Sequence, residues 1–188
     1  MVDAHNINNI LSECKYEGEI GLLSIDIDGN DYWVWKSLDI VKPDIVICEY
    51  NAVFGDIYPV TIPYEADFFR TRAHYSNLYF GAGIKALEML ASQKGYRLIG
   101  SNSAGSNAFF LRDDLFGHIG DRIERMQARS SLARESRDDS GRLTFLGGLQ
   151  RLEAIKDMPV LRLDTQKVVP LGSLRPLYGE EWRSQMGE

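Results

Sequence analysis

The sequence predicts an α/β fold of about four strands, the last two an antiparallel hairpin, followed by a C-terminal helical extension. Three observations carry it. Leu22–Asp28 and Ile45–Tyr50 are short runs of strand-forming residues, apolar on both faces, as strands of a buried parallel sheet are. A helical stretch, Asp31 to Leu38, stands between them, so strand, helix and strand over about 30 residues make a βαβ unit with a right-handed crossover. Further on, Tyr96–Gly100 and Asn107–Leu111 read as strands joined by the glycine-bearing connection Ser101–Ser106, which suits a hairpin.

Composition sets the bounds. With 188 residues, 44% hydrophobic and 26% charged, the chain is long enough to bury one core and carry an appendage. A net charge of −6 argues against nucleic-acid or anionic-lipid partners, because phosphate binding needs a surplus of Lys and Arg. Two cysteines, Cys14 and Cys48, form neither a disulfide framework nor a zinc spacing, and Cys48 in its apolar run reads as a buried thiol. The N-terminus lacks a basic region followed by an apolar core, and no apolar run approaches the roughly 18 residues a membrane span needs. A soluble, unexported protein of the reducing cytoplasm is the expectation.

Taken in order, Ile7, Ile10 and Leu11 at helical spacing predict a short helix, with Asp3 or Asn6 as its cap. Gly29-Asn30 is turn chemistry, with Asn30 expected in a left-handed conformation, and Asp31 reads as the N-cap of the helix that buries Val34 and a tryptophan. Lys42-Pro43-Asp44 is expected to end that unit. Asn51 to Phe80 holds Pro59, Pro63 and many aromatics without a sustained period, the character of a binding loop or lid. Gly83 to Lys94 is helical through Ile84, Leu87 and Leu90, with Gly95 as its left-handed terminator. Residues 1–115 thus read as one α/β domain and 116–188 as an extension. In the extension, Ile119, Ile123 and Met126 mark one amphipathic helix, Ser130–Gly141 a polar linker, and Leu146, Leu149, Leu152 and Ile155 a second helix. The tail is expected to be irregular apart from a short strand at Val160–Leu163. The Arg-rich stretch Arg122 to Arg142, interspersed with Glu124, Glu135, Asp138 and Asp139, reads as a solvated face.

The chemistry gathers at the strand ends. Ligands of open α/β sheets bind beyond the carboxyl ends of parallel strands, and here the first ends in Asp26 and Asp28 and the second in Glu49. Side-chain alternation would place Asp26 and Asp28 on one side about 6–7 Å apart, with Glu49 about 5 Å away laterally if the strands are neighbours. Asp26, flanked by Ile25 and Ile27 inside a strand, is the carboxylate least comfortable in a structural role. Three carboxylates so close would share a divalent cation or raise one another's pKa toward the range of acid–base chemistry. A calcium loop of the EF-hand type is excluded, since Gly29 stands at the fourth position where that loop needs glycine at the sixth, and position 37 is Ser. A strand ending in Asp-Ile-Asp-Gly also resembles the nucleophile motif of haloacid-dehalogenase-like phosphatases. Glu49 stands where those enzymes place Ser or Thr, so Asp26 as nucleophile and Asp28 as acid is an alternative.

Leu22 through Tyr50, with Asp26-Ile27-Asp28-Gly29-Asn30-Asp31 and Glu49-Tyr50-Asn51, resembles the fourth and fifth strands of class I S-adenosylmethionine-dependent methyltransferases. The likeness is to small O-methyltransferases of the FkbM-like and macrocin-like kind. Tyr79–Leu87, Lys94–Gly100 and Asn107–Asp113 are similar to that family's following helix and closing strands. The resemblance implies a Rossmann-like methyltransferase sheet that starts at the fourth strand, without the Gly-rich cofactor-binding half. It implies O-methyl transfer to a small hydroxylated, sugar-like acceptor, with Asp26, Asp28 and Asp31 catalytic, Tyr50 and Asn51 at the S-adenosylmethionine, and Asp26, Asp28 and Glu49 around a metal such as Mg. In the loop, Phe54, Tyr58, Tyr64, Phe68, Phe69, Tyr75 and Tyr79 would offer stacking faces and Arg70, Arg72 and His74 donors. A non-catalytic remnant serving binding or oligomerisation is the other alternative. A chain starting at an internal strand would leave an open apolar edge, to be covered within a homo-oligomer or by a partner chain.

Overall fold

The computed structural model describes residues 2–123, 127–131 and 135–186. Helix α1 (Ile7–Glu13) follows Asn6, and the Asp3 carboxylate accepts from the N–H groups of His5 and Asn6, tying its first turn. None of its residues is buried. It is fastened to the next helix by Asn8, whose amide donates to Ser37 O and whose oxygen accepts from Asp39 N.

Strand β1 (Gly18–Ile25), helix α2 (Asp31–Ser37) and strand β2 (Val41–Glu49) form the expected βαβ unit, β1 and β2 running parallel with Leu22 opposite Ile45 and Ile25 opposite Cys48. Two details differ from expectation. Lys42-Pro43-Asp44 lies inside β2, where Pro43 sits opposite Ile20 and its carbonyl accepts from Tyr96 Oη. β1 is not a strand buried on both faces, because only one face of the sheet is covered; in the order β1-β2-β5-β4 it forms the open edge that the resemblance implies. Leu23 and Ile25 face the core, while Leu22 is 54% exposed.

After β2 come a 3₁₀ turn (Ala52–Phe54), strand β3 (Val60–Thr61) and helix α3 (Arg70–Ala73), so the stretch expected as one loop carries short elements. Helix α4 (Ile84–Lys94) buries Ile84, Ala86, Leu87, Leu90 and Ala91 and stops at Gly95, whose φ of 79° is the left-handed terminator its position predicts. Strands β4 (Tyr96–Ser101) and β5 (Asn107–Arg112) make the antiparallel hairpin, and β5 inserts between β2 and β4, antiparallel to both. Val46, Cys48, Ala108 and Phe110 of this four-stranded sheet pack beneath α2 and α4, with Trp35 tilted over Phe110.

The C-terminal region departs most from its reading. Of the helix expected through Ile119, Ile123 and Met126, only α5 (Phe116–Ile119) is α-helical, Gly120–Arg122 tightens to a 3₁₀ turn, Ile123 is extended, and Met126 and Glu124 lie outside the described residues. Helix α6 (Gly148–Ile155) is present. The tail is ordered: β6 (Pro159–Arg162) and β7 (Lys167–Pro170) pair antiparallel, β6 also pairs with β3 to close a three-stranded sheet, and α7 (Glu180–Gln185) buries Trp182. Ser130, Ser131 and Ser136, expected in a loose linker, are buried. Ala128 to Ser131 runs as a strap: Ala128 O accepts from Trp182 Nε1, Arg129 O from Tyr50 Oη, and Ser131 receives the buried guanidinium of Arg151. The Arg-rich stretch does carry solvated pairs, Arg137 with Glu135 and Arg142 with Asp138. No helix of the described residues is long and apolar enough to cross a membrane.

Candidate functional site

β1 ends at Ile25, and five residues carry the chain to α2. Asp28 adopts φ 57°, so the left-handed position of the turn belongs to it and not to Asn30, whose φ is −86°. The aspartate side chain is among those that tolerate this region, and it leaves the carboxylate exposed at the tip. Gly29 is required for another reason: a β-carbon there would lie 2.6 Å from Phe68 Cε1 and closer still to Cδ1. Asn30 is buried and donates from Nδ2 to Glu65 O, joining the turn to the long segment.

Asp31 is not the N-cap. Asn30 holds that position without a side-chain bond, and Asp31, the first residue of α2, reaches backward. Its carboxylate accepts from Ile27 N and Gly29 N, each at 2.9 Å, while the side chain is fully buried. Burial pushes its carboxyl up to about 6, against the pull of those backbone donors, and the nearby charge of Asp26 adds to the rise. Asp31 therefore holds the shape of the loop that carries Asp26 and Asp28.

Asp26 lies past the strand end and is exposed, which corrects its expected place inside a strand. Glu49, the last residue of β2, is buried. The register sets Ile25 beside Cys48, so the continuation of β1 passes alongside Glu49. The turn folds Asp28 back over the same point, and ligand oxygens of Asp26, Asp28 and Glu49 all come within 4.8 Å of one another. The three carboxylates named from the sequence are thus together, brought there by a turn instead of strand alternation. All three donors are hard oxygens, the set that suits Mg²⁺ or Ca²⁺.

A fixed cation borders them. Arg70, at the start of α3, donates from Nε to Asn77 O at 2.6 Å, lies 4.2 Å above the Phe80 ring centre, and pairs through a terminal nitrogen with Asp28 at 2.9 Å. Beside this pair opens a cavity of about 420 Å³ lined by Ile27, Asp28, Phe68, Phe69, Arg70 and Glu135. Glu135 was not singled out by the sequence; it sits in a charge-mixed stretch with no spacing to mark it.

The other loop aromatics divide. Phe54 and Tyr79 belong to the core, Tyr58 lies under Arg162, Tyr64 meets Trp33 edge-on, and Tyr75 is exposed. Burial lowers the His74 pKa, and its Nδ1 lies 2.8 Å from Ser76 Oγ. Tyr50 and Asn51 face protein. Tyr50 Oη donates to Arg129 O, and the Asn51 amide donates to Leu78 O and Phe80 O while its oxygen accepts from Val53 N. Both are buried, and no cofactor contact is derived from them. Cys48 is buried in the sheet, which pushes its thiol up.

No protein-family model, no curated protein and no solved structure matches the chain.

Proposed function

We propose that this chain carries the acceptor-and-cation side of an O-methyltransferase-like site, with S-adenosylmethionine as the methyl donor and a small hydroxylated, sugar-like molecule as the acceptor. One observation carries the reading: Asp26, Asp28 and Glu49 converge at the carboxyl ends of two parallel strands, and Asp28 also lines the cavity walled by Phe68 and Phe69. Two parallel strands followed by a closing antiparallel hairpin, as the resemblance implies, agree with it.

In this reading Asp26, Asp28 and Glu49 hold a divalent cation, which would supply Lewis-acid polarisation of an acceptor hydroxyl. Asp28, exposed on the cavity wall, and Asp26, exposed beside it in the carboxylate cluster, would take the acceptor hydroxyl's proton on methyl transfer. Phe68 and Phe69 offer apolar faces to a sugar ring, and Arg70 offers a donor already held in place. The glycine-rich strand–loop–helix that would seat the methionine end of the donor does not occur among the described residues. The donor therefore has no contact assigned to it.

Titration calorimetry of the full chain separates the parts. Mg²⁺ or Mn²⁺ should give a binding heat that is lost in Asp26→Asn and Glu49→Gln; no heat in the wild type removes the cation site. S-adenosylmethionine without detectable heat removes methyl transfer by this chain alone. Hydrolysis of p-nitrophenyl phosphate that disappears in Asp26→Asn would favour the phosphatase alternative.

A further inference from the structure

The two edges of the four-stranded sheet are treated differently. Outer strand β4 is protected: it carries a bulge between Leu98 and Gly100, and a charged Arg97 stacked on Phe116. The strap also reaches it, with Arg129 N donating to Ser101 Oγ at 2.9 Å. These are the devices by which natural sheets blunt a free edge. Outer strand β1 has none of them. It is eight residues long, regular, free of proline and lysine, and its one charged side chain is Glu19.

The direction of its free backbone groups follows from one bond. Gly18 N donates across to Ile40 O at 2.8 Å, so Gly18, Ile20, Leu22 and Ser24 turn their backbone groups toward β2. Glu19, Gly21, Leu23 and Ile25 then turn theirs outward. On the sheet face away from α2 and α4, Leu22 is 54% exposed. Its neighbours across β2 and β5, Ile45, Ile47 and Phe109, are only half-buried and stand outside the core cluster.

We infer that β1 pairs with β1 of a second copy of this chain, antiparallel about a two-fold axis at Leu22. In that register Gly21 exchanges hydrogen bonds with Leu23 of the other copy and Glu19 with Ile25, which uses the outward-pointing groups and no others. Leu22 faces its symmetry mate as a non-hydrogen-bonded pair about 4.5 Å apart at Cα, the closer kind of cross-strand pair, and its exposed side chain is covered. Charge agrees with the same register. Within the paired strands the one charged residue, Glu19, meets Ile25 and so faces no acid of the other copy, despite the net charge of −6 on each chain. The interface is isologous and closes at two copies. It is independent of the proposed reaction, because the paired span, Glu19 to Ile25, includes no residue of the cavity or of the carboxylate cluster.

Sedimentation equilibrium of the full chain tests it. The wild type should sediment as a dimer, and Leu22→Lys, which sets two ammonium groups against each other on the axis, as a monomer with an unchanged circular dichroism spectrum. A wild type that stays monomeric from micromolar to submillimolar concentration overturns the inference, as does a Leu22→Lys protein that remains dimeric. Should Leu22→Lys lose its fold, the register is read by oxidising Leu22→Cys in a Cys14→Ser background, Cys14 being exposed and Cys48 buried. One disulfide-linked dimer is expected, and a protein that stays unlinked overturns the pairing at Leu22.

Discussion

Gly29 lies against the edge of the Phe68 ring so closely that a β-carbon at position 29 would meet Cε1 at 2.6 Å. The carboxylate-bearing turn and the cavity wall are thereby one packed unit, since Phe68 lines the cavity and Asp28 precedes Gly29. Gly29→Ala should force the ring outward and cost about 1–3 kcal/mol, the usual range for overpacking. Urea denaturation measures the loss. The double variant with Phe68→Ala should lose less than the two single variants added together, because the clash disappears with the ring. Strict additivity would mean that the two side chains are not in conflict.

Asp31 gives the stability a specific pH dependence. Its carboxyl is held near 6 in the folded chain against an ordinary value of 3.8, mainly by burial. Between those values the folded state binds the proton and the unfolded state does not, so stability falls as pH rises from about 4 to about 6. Below that window the contribution is fully retained; above it, the loss is on the order of 3 kcal/mol, since each pH unit between the two values contributes about 1.4 kcal/mol. Unfolding midpoints measured across pH 4 to 7 should show this slope, and Asp31→Asn should remove most of it. A slope unchanged in that variant would assign it to other carboxylates.

How much of this was legible in the sequence depends on whether the cause was local. The βαβ unit, the α4 terminator at Gly95 and the hairpin were readable because period, turn chemistry and glycine placement are written within a few residues. Glu49 beside the Asp26 turn was readable because parallel neighbours bring their ends together. Misread features had distant causes. Asp31 looked like a cap because nothing nearby reveals that Ile27 N and Gly29 N need its carboxylate. Leu22 looked buried because a run apolar on both faces does not reveal that elements far along the chain cover only one of them. In the tail the short strand at Val160–Leu163 was readable and is β6, but its partner β3 was not, being only two residues long and roughly a hundred positions earlier.

The proposed cation site has a competitor at its border. Arg70 neutralises Asp28 across 2.9 Å and so competes with any ion that would use that carboxylate. Asp28 is mostly exposed, which limits such a pair to about 1 kcal/mol, or roughly fivefold. Arg70→Met should therefore tighten Mn²⁺ binding by up to that factor, whereas Asp26→Asn and Glu49→Gln should weaken it at least about tenfold. Calorimetry measures all three. Weaker binding in Arg70→Met would show that the guanidinium orders the turn more than it opposes the ion.

Trp182 ties the C-terminal helix to the end of β2. Its Nε1 donates to Ala128 O at 3.0 Å, and its ring centre lies 6.4 Å from that of Tyr50, the residue after Glu49. Tyr178 Oη donates to Val53 O at 2.8 Å and Gly179 N to Asp56 at 2.7 Å, so three tail residues dock on the stretch that leaves the sheet. Emptying a site that large costs about 3–5 kcal/mol, so Trp182→Ala should lower the urea midpoint by a corresponding amount. Trp182→Phe, which keeps much of the ring and loses the donor, should cost less, with the indole bond contributing about 1 kcal/mol. Because Tyr50 packs directly on this ring, the alanine variant should also weaken Mn²⁺ binding at Glu49 under conditions where it is still folded. Unchanged affinity alongside a lowered midpoint would separate the tail from the site and leave Trp182 with a purely structural role.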